Sequence, residues 1–216
     1  MKTKKFFVAP FYLSQHNFKK VGIPPREWVS KVECIKANAV LLGNRVVVLD
    51  VKEGHDLYFR GGFYGRFFTV PKPKLPDVEK ELEISLFDAM YLLEQGCLNL
   101  TNERGEPIKP SEFFSIASKL YDNFYDAYSV YKDLRNRGYV VKSGMKFGST
   151  FAVYQFGPGI DHSIFLVEVL KYGDKLDPIQ IIRAGRLSHS VRKRFILAYR
   201  DPATNRIQYF SFKWLM

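Results

Sequence analysis

The apolar and polar positions of this chain fall into regular patterns beyond its N-terminal stretch. Two β-rich runs, CIKANAVLL and RVVVLD, flank Gly43-Asn44, and because both residues tolerate positive φ this arrangement predicts a β-hairpin. Further along, apolar residues recur at helical spacing. Ser85, with Asp88 in the reciprocal position, predicts the capped start of that helix, and Gly96 predicts its end.

A second helical pattern is longer and leads into a series of apolar runs. Ser111 predicts its cap, and the pattern continues to about Arg137, with a break near Asp122-Asn123 because Asn and Asp compete for helical backbone bonds. The runs YVVKSG, STFAVYQF, IFLVEVL, RFILAY and RIQYFSFKW then predict strands. IFLVEVL is nearly all apolar, which predicts a central strand buried on both faces.

The succession of elements predicts an α+β fold in two domains. A small N-terminal α/β domain is expected over residues 34–108, and a C-terminal domain with a mixed sheet flanked by helices over residues 109–216. PKPKLPDVEKE, over residues 71–81, contains three prolines and predicts a loop. Residues 1–33 carry no clean period and are expected to form an extension that contacts substrate or a partner.

The net charge of the chain indicates which class of partner it binds. The net charge is +11, from 33 Lys and Arg against 22 Asp and Glu, so the surface potential attracts polyanions. Nucleic acid is the first candidate and an anionic membrane surface the second. The 19 Phe and 13 Tyr can build a core, which argues against a disordered chain.

The cysteine spacing and the hydropathy of the chain indicate the cellular compartment in which we expect the protein. Cys34 and Cys97 lack the CxxC spacing of a zinc site, so we expect free, buried thiols in a reducing cytosol. No apolar run approaches the ~20 residues that span a bilayer. The basic, aromatic N-terminus lacks the apolar stretch and cleavage site of a signal peptide. The expected location is therefore the cytoplasm, without a membrane partner.

Few residues belong to a recognised catalytic motif. The chain has no phosphate-binding loop, dinucleotide-binding glycine motif, HExxH or serine-hydrolase elbow. Glu168 and Lys171 form an ExxK pair, a partial pattern of metal nucleases, but no second acid precedes them at strand spacing. His162 follows a Gly-Pro-Gly turn and precedes the most apolar strand, so it is a candidate general acid. A packed or surface role is the ordinary alternative for a single histidine.

A longer, ordered pattern surrounds His162. Residues 131–163 read YKDLRNRGYVVKSGMKFGSTFAVYQFGPGIDHS, which contains YxxLRxRGYxVxxGxKFGxxFxxY followed by HS, and SVRK precedes the next strand. In this order the motifs resemble the catalytic domain of the tRNA-splicing endonucleases. The resemblance covers most of residues 124–216, extends more loosely over residues 34–105, and implies a nuclease-like C-terminal sheet.

The resemblance implies roles for three residues. Tyr154 falls at the family's general base, His162 at its general acid and Lys193 at the residue that stabilises the transition state. The implied reaction is attack of a ribose 2′-OH on its own 3′-phosphate, giving a 2′,3′-cyclic phosphate and a 5′-OH without metal or cofactor. A lysine suits the charged phosphorane, and an imidazolium suits the leaving oxygen. A free tyrosine has a pKa near 10, so we expect Lys193 or arginine charges to lower that of Tyr154.

The implied substrate is the bulge–helix–bulge of precursor tRNA, recognised through RNA shape and splayed-out bases. Arg186 aligns with a family arginine that stacks on a bulged base, and Arg206 is its candidate counterpart. A phosphate contact is the alternative for each arginine.

The resemblance also implies an oligomer, in which C-terminal strands pair edge to edge. RIQYFSFKWLM is the candidate strand, because a long aromatic edge is rarely left bare. In the family an acidic loop of one subunit docks into another. The matching loop here, KYGDKLDP, has Asp174 and Asp177 but also Lys171 and Lys175. This weakly acidic loop favours a heterotetramer with a structural subunit over a homo-oligomer.

Two other functions remain open at this point. The chain could be a non-catalytic structural or RNA-binding subunit of the same complex, although the complete Tyr-His-Lys set argues against this. It could also be a metal-dependent nuclease, because the family's catalytic fold is similar to that of restriction-type nucleases. Sensitivity to EDTA separates this second alternative from the metal-free reaction.

Overall fold

The structure is a computed structural model that describes residues 34–70, 73, 78–175, 177, 179, 182 and 193–212, and the backbone of residues 18–20. The described strands are β1 Phe18–Lys20, β2 Ala37–Leu42, β3 Arg45–Val48, β4 Arg66–Phe67, β5 Leu82–Ile84, β6 Leu98–Thr101, β7 Val140–Ser143, β8 Phe151–Tyr154, β9 Phe165–Leu170, β10 Arg194–Arg200 and β11 Ile207–Phe212. The described helices are α1 Val51–Phe59, α2 Leu86–Glu94, α3 Pro110–Leu120 and α4 Phe124–Asn136, with a 3-10 turn at Met145–Phe147.

These elements form two mixed sheets. Five strands of the N-terminal half are ordered β4-β5-β3-β2-β6, and six strands are ordered β1-β11-β10-β9-β8-β7. The β2–β6 and β9–β10 pairs are parallel, whereas the other pairs are antiparallel. The predicted α+β class, with an N-terminal domain followed by a sheet-centred C-terminal domain, is confirmed.

Local signals in the sequence account for the hairpin and for α2. Gly43 has a φ of +59° in the turn between β2 and β3, which pair antiparallel as predicted. The Ser85 hydroxyl accepts a hydrogen bond from the Asp88 amide at 3.1 Å, and the Asp88 carboxylate accepts one from the Ser85 amide at 3.3 Å. Gly96 follows α2 with a φ of +65°. The predicted capping box and stop are therefore confirmed.

The second helical region differs from the prediction at its start. Helix α3 begins at Pro110, with Lys109 in the cap position and no side-chain cap, so the predicted Ser111 cap is wrong. Proline suits the first helical position because its φ is preset and it has no amide that needs a partner. The predicted break is confirmed, because Asn123 has a φ of +63° and separates α3 from α4.

Strand β9 lies inside the six-stranded sheet and is buried on both faces, as predicted. Phe165, Val167 and Val169 face the main core, where α4 contacts β9 and β10. Leu166 faces a smaller cluster on the other side. That cluster comprises Ala152, Leu166, Phe195 and Leu197, with Phe147, Tyr154, Leu170 and Phe210 packed against it. Residues of β8 alternate between the two faces, so Tyr154 lies on the side away from α4.

A buried ionic network joins the two halves of the chain. An Arg135 amino group lies 3.4 Å from the Asp88 carboxylate, and its guanidinium also donates to the Gly62 carbonyl at 2.9 Å. The Lys142 ammonium donates to the carbonyls of Phe63, at 2.7 Å, and Gly65. Burial lowers the pKa of Lys142 to about 8. Side chains of α4 and β7 thus provide hydrogen-bond donors for the backbone carbonyls of the loop before β4.

The two cysteines are not free. Cys34 and Cys97 form a disulfide, with Cα atoms 5.4 Å apart, which corrects the expectation of two thiols. The cause is tertiary: Cys34 precedes β2, Cys97 precedes β6, and these strands are parallel neighbours with Ala37 opposite Leu98. Spacing in the sequence carries no information about this pairing.

Strand β1, within the predicted extension, pairs with the outer side of β11. The register runs antiparallel from Phe18 opposite Phe212 to Lys20 opposite Phe210. Residues 207–209 have no partner strand on that side among the described residues. No helix in the described part of the chain is long and apolar enough to cross a membrane.

Candidate active site

Sheet topology brings the ends of three strands to one place. Tyr154 ends β8, His162 lies three residues before β9, and Lys193 immediately precedes β10. Because β8 is antiparallel to β9 and β9 is parallel to β10, the end of β8 and the starts of β9 and β10 share one edge of the sheet. Two residues 39 positions apart in the sequence therefore lie on either side of the start of β9.

The segment just after His162 forms hydrogen bonds with the residues on both sides of it at this edge of the sheet. The Lys193 ammonium donates to the Ser163 carbonyl at 3.0 Å. The Ile164 amide donates to the Val153 carbonyl at 2.8 Å, and the Arg194 amide donates to the Ile164 carbonyl at 3.2 Å. Residues 163 and 164 are thus hydrogen-bonded to both neighbouring strands, next to Tyr154 on one side and Lys193 on the other.

The loop between Tyr154 and His162 is organised by one carboxylate. Asp161 accepts hydrogen bonds from the amides of Gln155, Phe156 and Gly157, at 2.9, 3.1 and 2.7 Å. A carboxylate with three amide donors holds a loop firmly. The loop also packs on the N-terminal half, since a Cβ at Gly157, where φ is +144°, would lie 2.4 Å from the Phe63 ring. His162 is exposed on this anchored loop.

The electrostatics at Tyr154 differ from the prediction. Burial raises the pKa of its phenol, the Asp161 charge raises it further, and the Ser163 hydroxyl opposes both. The expected lowering by Lys193 or an arginine is wrong, because burial dominates over nearby charges. Tyr58 of α1 lies close enough for Tyr154 to raise its pKa, so the N-terminal half reaches the site.

Lys193 shares an aromatic ring with a second lysine. The ammonium groups of Lys146 and Lys193 lie 5.4 and 5.5 Å from the centroid of Phe147. Burial and then the charge of Lys146 lower the pKa of Lys193, whereas Asp161 raises it. Two cations over one ring make a locally positive surface that suits an anionic ligand. The KFG of the sequence motif contains both Lys146 and Phe147, and their presence in that motif is the signal that points to a role near Lys193.

A cleft of about 530 Å³ opens beside Tyr154 and extends over the N-terminal half. Arg45, Arg66 and Lys142 line it, with Tyr58 and Phe67 among its aromatic walls. Arg66 and Arg45 contact the Glu83 carboxylate at 2.8 and 3.7 Å, and the two arginine side chains remain 76% and 58% exposed. A polyanion can therefore contact both guanidinium groups.

The ExxK pair does not form a site. The Glu168 carboxylate accepts from the Thr150 amide at 2.8 Å and hydroxyl at 3.1 Å, while the Lys171 ammonium pairs with Asp122 at 3.2 Å. Burial raises the pKa of Glu168. The two side chains thus serve separate structural contacts. Among the described residues no three His, Cys, Asp or Glu side chains cluster as metal ligands would.

The structure separates Arg206 from the three predicted catalytic residues. Arg206 is exposed in the turn between β10 and β11, next to the Arg200–Ile207 pair, whereas Lys193 lies at the opposite end of β10. The rise of a strand puts the two ends roughly 20 Å apart. Arg186 lies outside the described residues.

Comparisons with known proteins identify the family of this chain. The family model "tRNA intron endonuclease, catalytic C-terminal domain" matches residues 124–209, and "tRNA intron endonuclease, N-terminal domain" matches residues 37–114. A tRNA-splicing endonuclease of Hyperthermus butylicus is 46% identical over 176 residues, covering 82% of this chain and 97% of the relative. Relatives of that name from Saccharolobus islandicus and Saccharolobus solfataricus are 36% identical over 178 residues, with the same coverage.

The fold and the comparisons define the class of the protein as an RNA-cleaving enzyme of tRNA maturation. This chain belongs to the tRNA intron endonuclease family and carries both of its domains. The resemblance inferred from the ordered motifs is thereby confirmed, as is the expectation of an endonuclease that excises tRNA introns.

Proposed function

We propose that this enzyme cuts precursor tRNA at bulge–helix–bulge sites by attack of a ribose 2′-OH on the adjacent phosphate, without a metal. The bond from the phosphorus to the 5′-oxygen breaks, leaving a 2′,3′-cyclic phosphate and a 5′-OH. The observation that carries the proposal is the convergence of Tyr154, His162 and Lys193 at one edge of the sheet.

Each of the three residues has a distinct part in this reaction. Tyr154 takes the proton of the attacking 2′-OH, and His162, exposed on its anchored loop, donates a proton to the departing 5′-oxygen. Lys193, fixed by the Ser163 carbonyl, stabilises the negative charge of the phosphorane. Because the pKa of Tyr154 is raised, only a small fraction is phenolate near neutral pH, and the active form must also carry a proton on His162.

The charged surface around the site supports an RNA substrate. Lys146 and Lys193 offer cations to the phosphates next to the cleaved bond, and Arg45 and Arg66 offer two more along the adjoining cleft. Phosphate contacts of this kind position RNA without reading its sequence. Recognition of the bulges then depends on RNA shape and on unstacked bases.

The assembly we propose is a heterotetramer with a structural subunit, with a homo-oligomer as the alternative. Asp174 and Asp177 are exposed and available to a partner's basic surface. Among the described residues, no strand pairs with the outer side of residues 207–209 of β11, while β1 pairs with residues 210–212; this leaves a short edge for strand pairing. Since Arg206 lies far from Lys193 of its own chain, it would grip RNA at another subunit's site or elsewhere on the same RNA.

The test is cleavage of a bulge–helix–bulge RNA in excess EDTA, with end-group analysis and with any co-purifying partner present or absent. Wild type should give cyclic-phosphate and 5′-OH ends, and His162→Ala should lose roughly 100-fold or more in rate because general acid catalysis contributes this much. His55→Ala is the matched control, since His55 packs on Phe59 in α1, and should cleave like wild type.

Three outcomes would contradict parts of this proposal. Cleavage abolished by EDTA would indicate a metal-dependent nuclease. Full activity in His162→Ala would remove the general acid. RNA binding without cleavage under every condition, including with the partner, would make the chain a non-catalytic subunit.

A further inference from the structure

Ser163 stands out among the buried polar residues. The residue is only 4% exposed, and its hydroxyl oxygen has no hydrogen-bond partner within the described structure. Leaving a buried hydroxyl unpaired is costly, and native proteins seldom do so without a reason. By contrast, Ser149, a buried serine in the turn before β8, has its hydroxyl within hydrogen-bonding distance of two carbonyls, those of Gly144 at 3.4 Å and Phe151 at 3.3 Å.

Three separate links connect Ser163 to the proposed catalytic residues. It follows His162 directly in the chain. Its carbonyl accepts the hydrogen bond from the Lys193 ammonium at 3.0 Å. Its hydroxyl faces Tyr154 closely enough to lower the pKa of that phenol, although no hydrogen bond of normal geometry is formed.

We propose that Ser163 is a positioning residue for RNA cleavage: its hydroxyl donates a hydrogen bond to the Tyr154 oxygen when that oxygen becomes a phenolate, while its carbonyl holds Lys193. This inference rests on the proposed function, in which Tyr154 is the base. The hydroxyl is unpaired in the resting site because a neutral phenol is a weaker acceptor than a phenolate. In the active state the buried hydroxyl gains its partner.

Other groups act on Tyr154 and must be held constant in a test. Burial and the Asp161 charge raise its pKa, and Tyr58 of α1 lies nearby. The other charged or titratable groups around this edge and its cleft, within the described residues, are Arg45, Arg66, Glu83, Lys142, Lys146, His162 and Lys193. Replacing the Ser163 hydroxyl by hydrogen leaves all of these side chains and the Ser163 carbonyl in place.

The experiment is a pH–rate profile for cleavage under single-turnover conditions, comparing wild type, Ser163→Ala and Ser149→Ala. Ser163→Ala should shift the limb of the profile that Tyr154 sets to higher pH, and it should slow cleavage roughly three- to tenfold at neutral pH, as expected for the loss of one hydrogen bond. Affinity for RNA should change little, so the loss appears in the rate of the bound complex. Ser149→Ala, which removes a buried hydroxyl from the turn before β8, should leave the position of that limb unchanged.

A double-mutant cycle separates positioning from folding. In a Tyr154→Phe background, Ser163→Ala should cost nothing further, because its partner is already absent. An equal loss in both backgrounds, or an unshifted limb for Ser163→Ala, would overturn the inference. If Ser163→Ala unfolds at assay temperature, Ser163→Thr, which keeps the hydroxyl, should retain the wild-type limb, and a shifted limb there would also overturn it.

The controls distinguish this inference from the proposed function. Full activity in Tyr154→Phe would overturn both the general-base role and the inference. An inactive Tyr154→Phe beside an unshifted Ser163→Ala profile would overturn only the inference and leave Tyr154 as the base.

Discussion

At the scale of single residues, the functional groups of this protein are set by burial as much as by their chemical identity. Tyr154 and Lys142 both lie in partly or fully enclosed positions, and burial is the largest influence on the pKa of each. Burial disfavours the charged form, so it raises the pKa of the phenol and lowers that of the ammonium. The two shifts have opposite directions and one cause.

Lys142 predicts a specific pH dependence of stability. Its pKa in the folded protein, about 8, lies below the unfolded value of 10.5, so the unfolded chain binds more protons between these values. The free energy of unfolding should therefore rise with pH in that window, by at most roughly 3 kcal/mol. Urea unfolding of wild type and Lys142→Met from about pH 7 to 10.5 measures this, since the difference between the two isolates the lysine.

The control for this measurement is Lys119→Met, which makes the same change at an exposed lysine near the end of α3, outside the buried network. Asp88, Arg135 and Arg66 act on the Lys142 ammonium and stay in place in both proteins. Parallel pH curves for wild type and Lys142→Met would contradict the prediction.

At the scale of elements, caps and breaks decide where helices begin and end. A serine lies at the start of α2 and another at the start of α3. Of these two, only Ser85 caps its helix, because Pro110 begins α3 one residue before Ser111. The break at Asn123 turns one periodic pattern into α3 and α4, so that α4 can pack on β9 and β10 while α3 contacts α2. The competition of Asn and Asp for backbone hydrogen bonds predicted the break between α3 and α4. The preset φ of proline explains why α3 begins at Pro110 and not after Ser111.

The two serines provide a matched pair for measuring the cap. Ser85→Ala should lower the free energy of unfolding by about 0.5–2 kcal/mol, because the Asp88 amide loses its acceptor at the start of α2. Ser111→Ala should change it by less than about 0.5 kcal/mol, because the Ser111 side chain is exposed and caps nothing. Chemical denaturation of both variants tests this. Equal losses would mean that Ser85 contributes no capping energy.

At the scale of the whole molecule, we expect the net positive charge and the N-terminal extension to contribute to RNA binding. The net charge of +11 favours association with a polyanion, and residues 1–20 contain five lysines and no acidic residue. Strand β1 of the extension also pairs with β11, so the extension contributes both charge and a strand. Domain boundaries at residues 33 and 108 stay predictions, since one continuous core joins the two halves.

Deleting residues 1–20 should weaken RNA binding and flatten its salt dependence. Each lysine that neutralises a phosphate adds roughly 0.7–0.9 to the slope of log K against log salt, so the slope should fall by up to about 4. Filter binding over a range of salt concentrations measures both quantities. A variant that keeps residues 1–20 but replaces the five lysines of this segment by Gln separates the effect of the charge from that of strand β1. If that variant binds like wild type while the deletion does not, the loss comes from β1 and the charge explanation is wrong.

The sequence by itself determined the elements and the class of protein. The hairpin at Gly43-Asn44, the cap at Ser85 and the buried β9 depend on residues only a few positions apart, so local patterns predict them. The ordered motifs around His162 and before Lys193 were long enough to indicate the family, which the comparisons confirm.

Only the tertiary structure decided what those residues meet. The Cys34–Cys97 disulfide, the contact of Lys193 with the Ser163 carbonyl and the raised pKa of Tyr154 all depend on strand order and burial. The first two follow from pairings between segments 30 or more positions apart. Such pairings are selected by the packing of the whole core, and no local pattern encodes them.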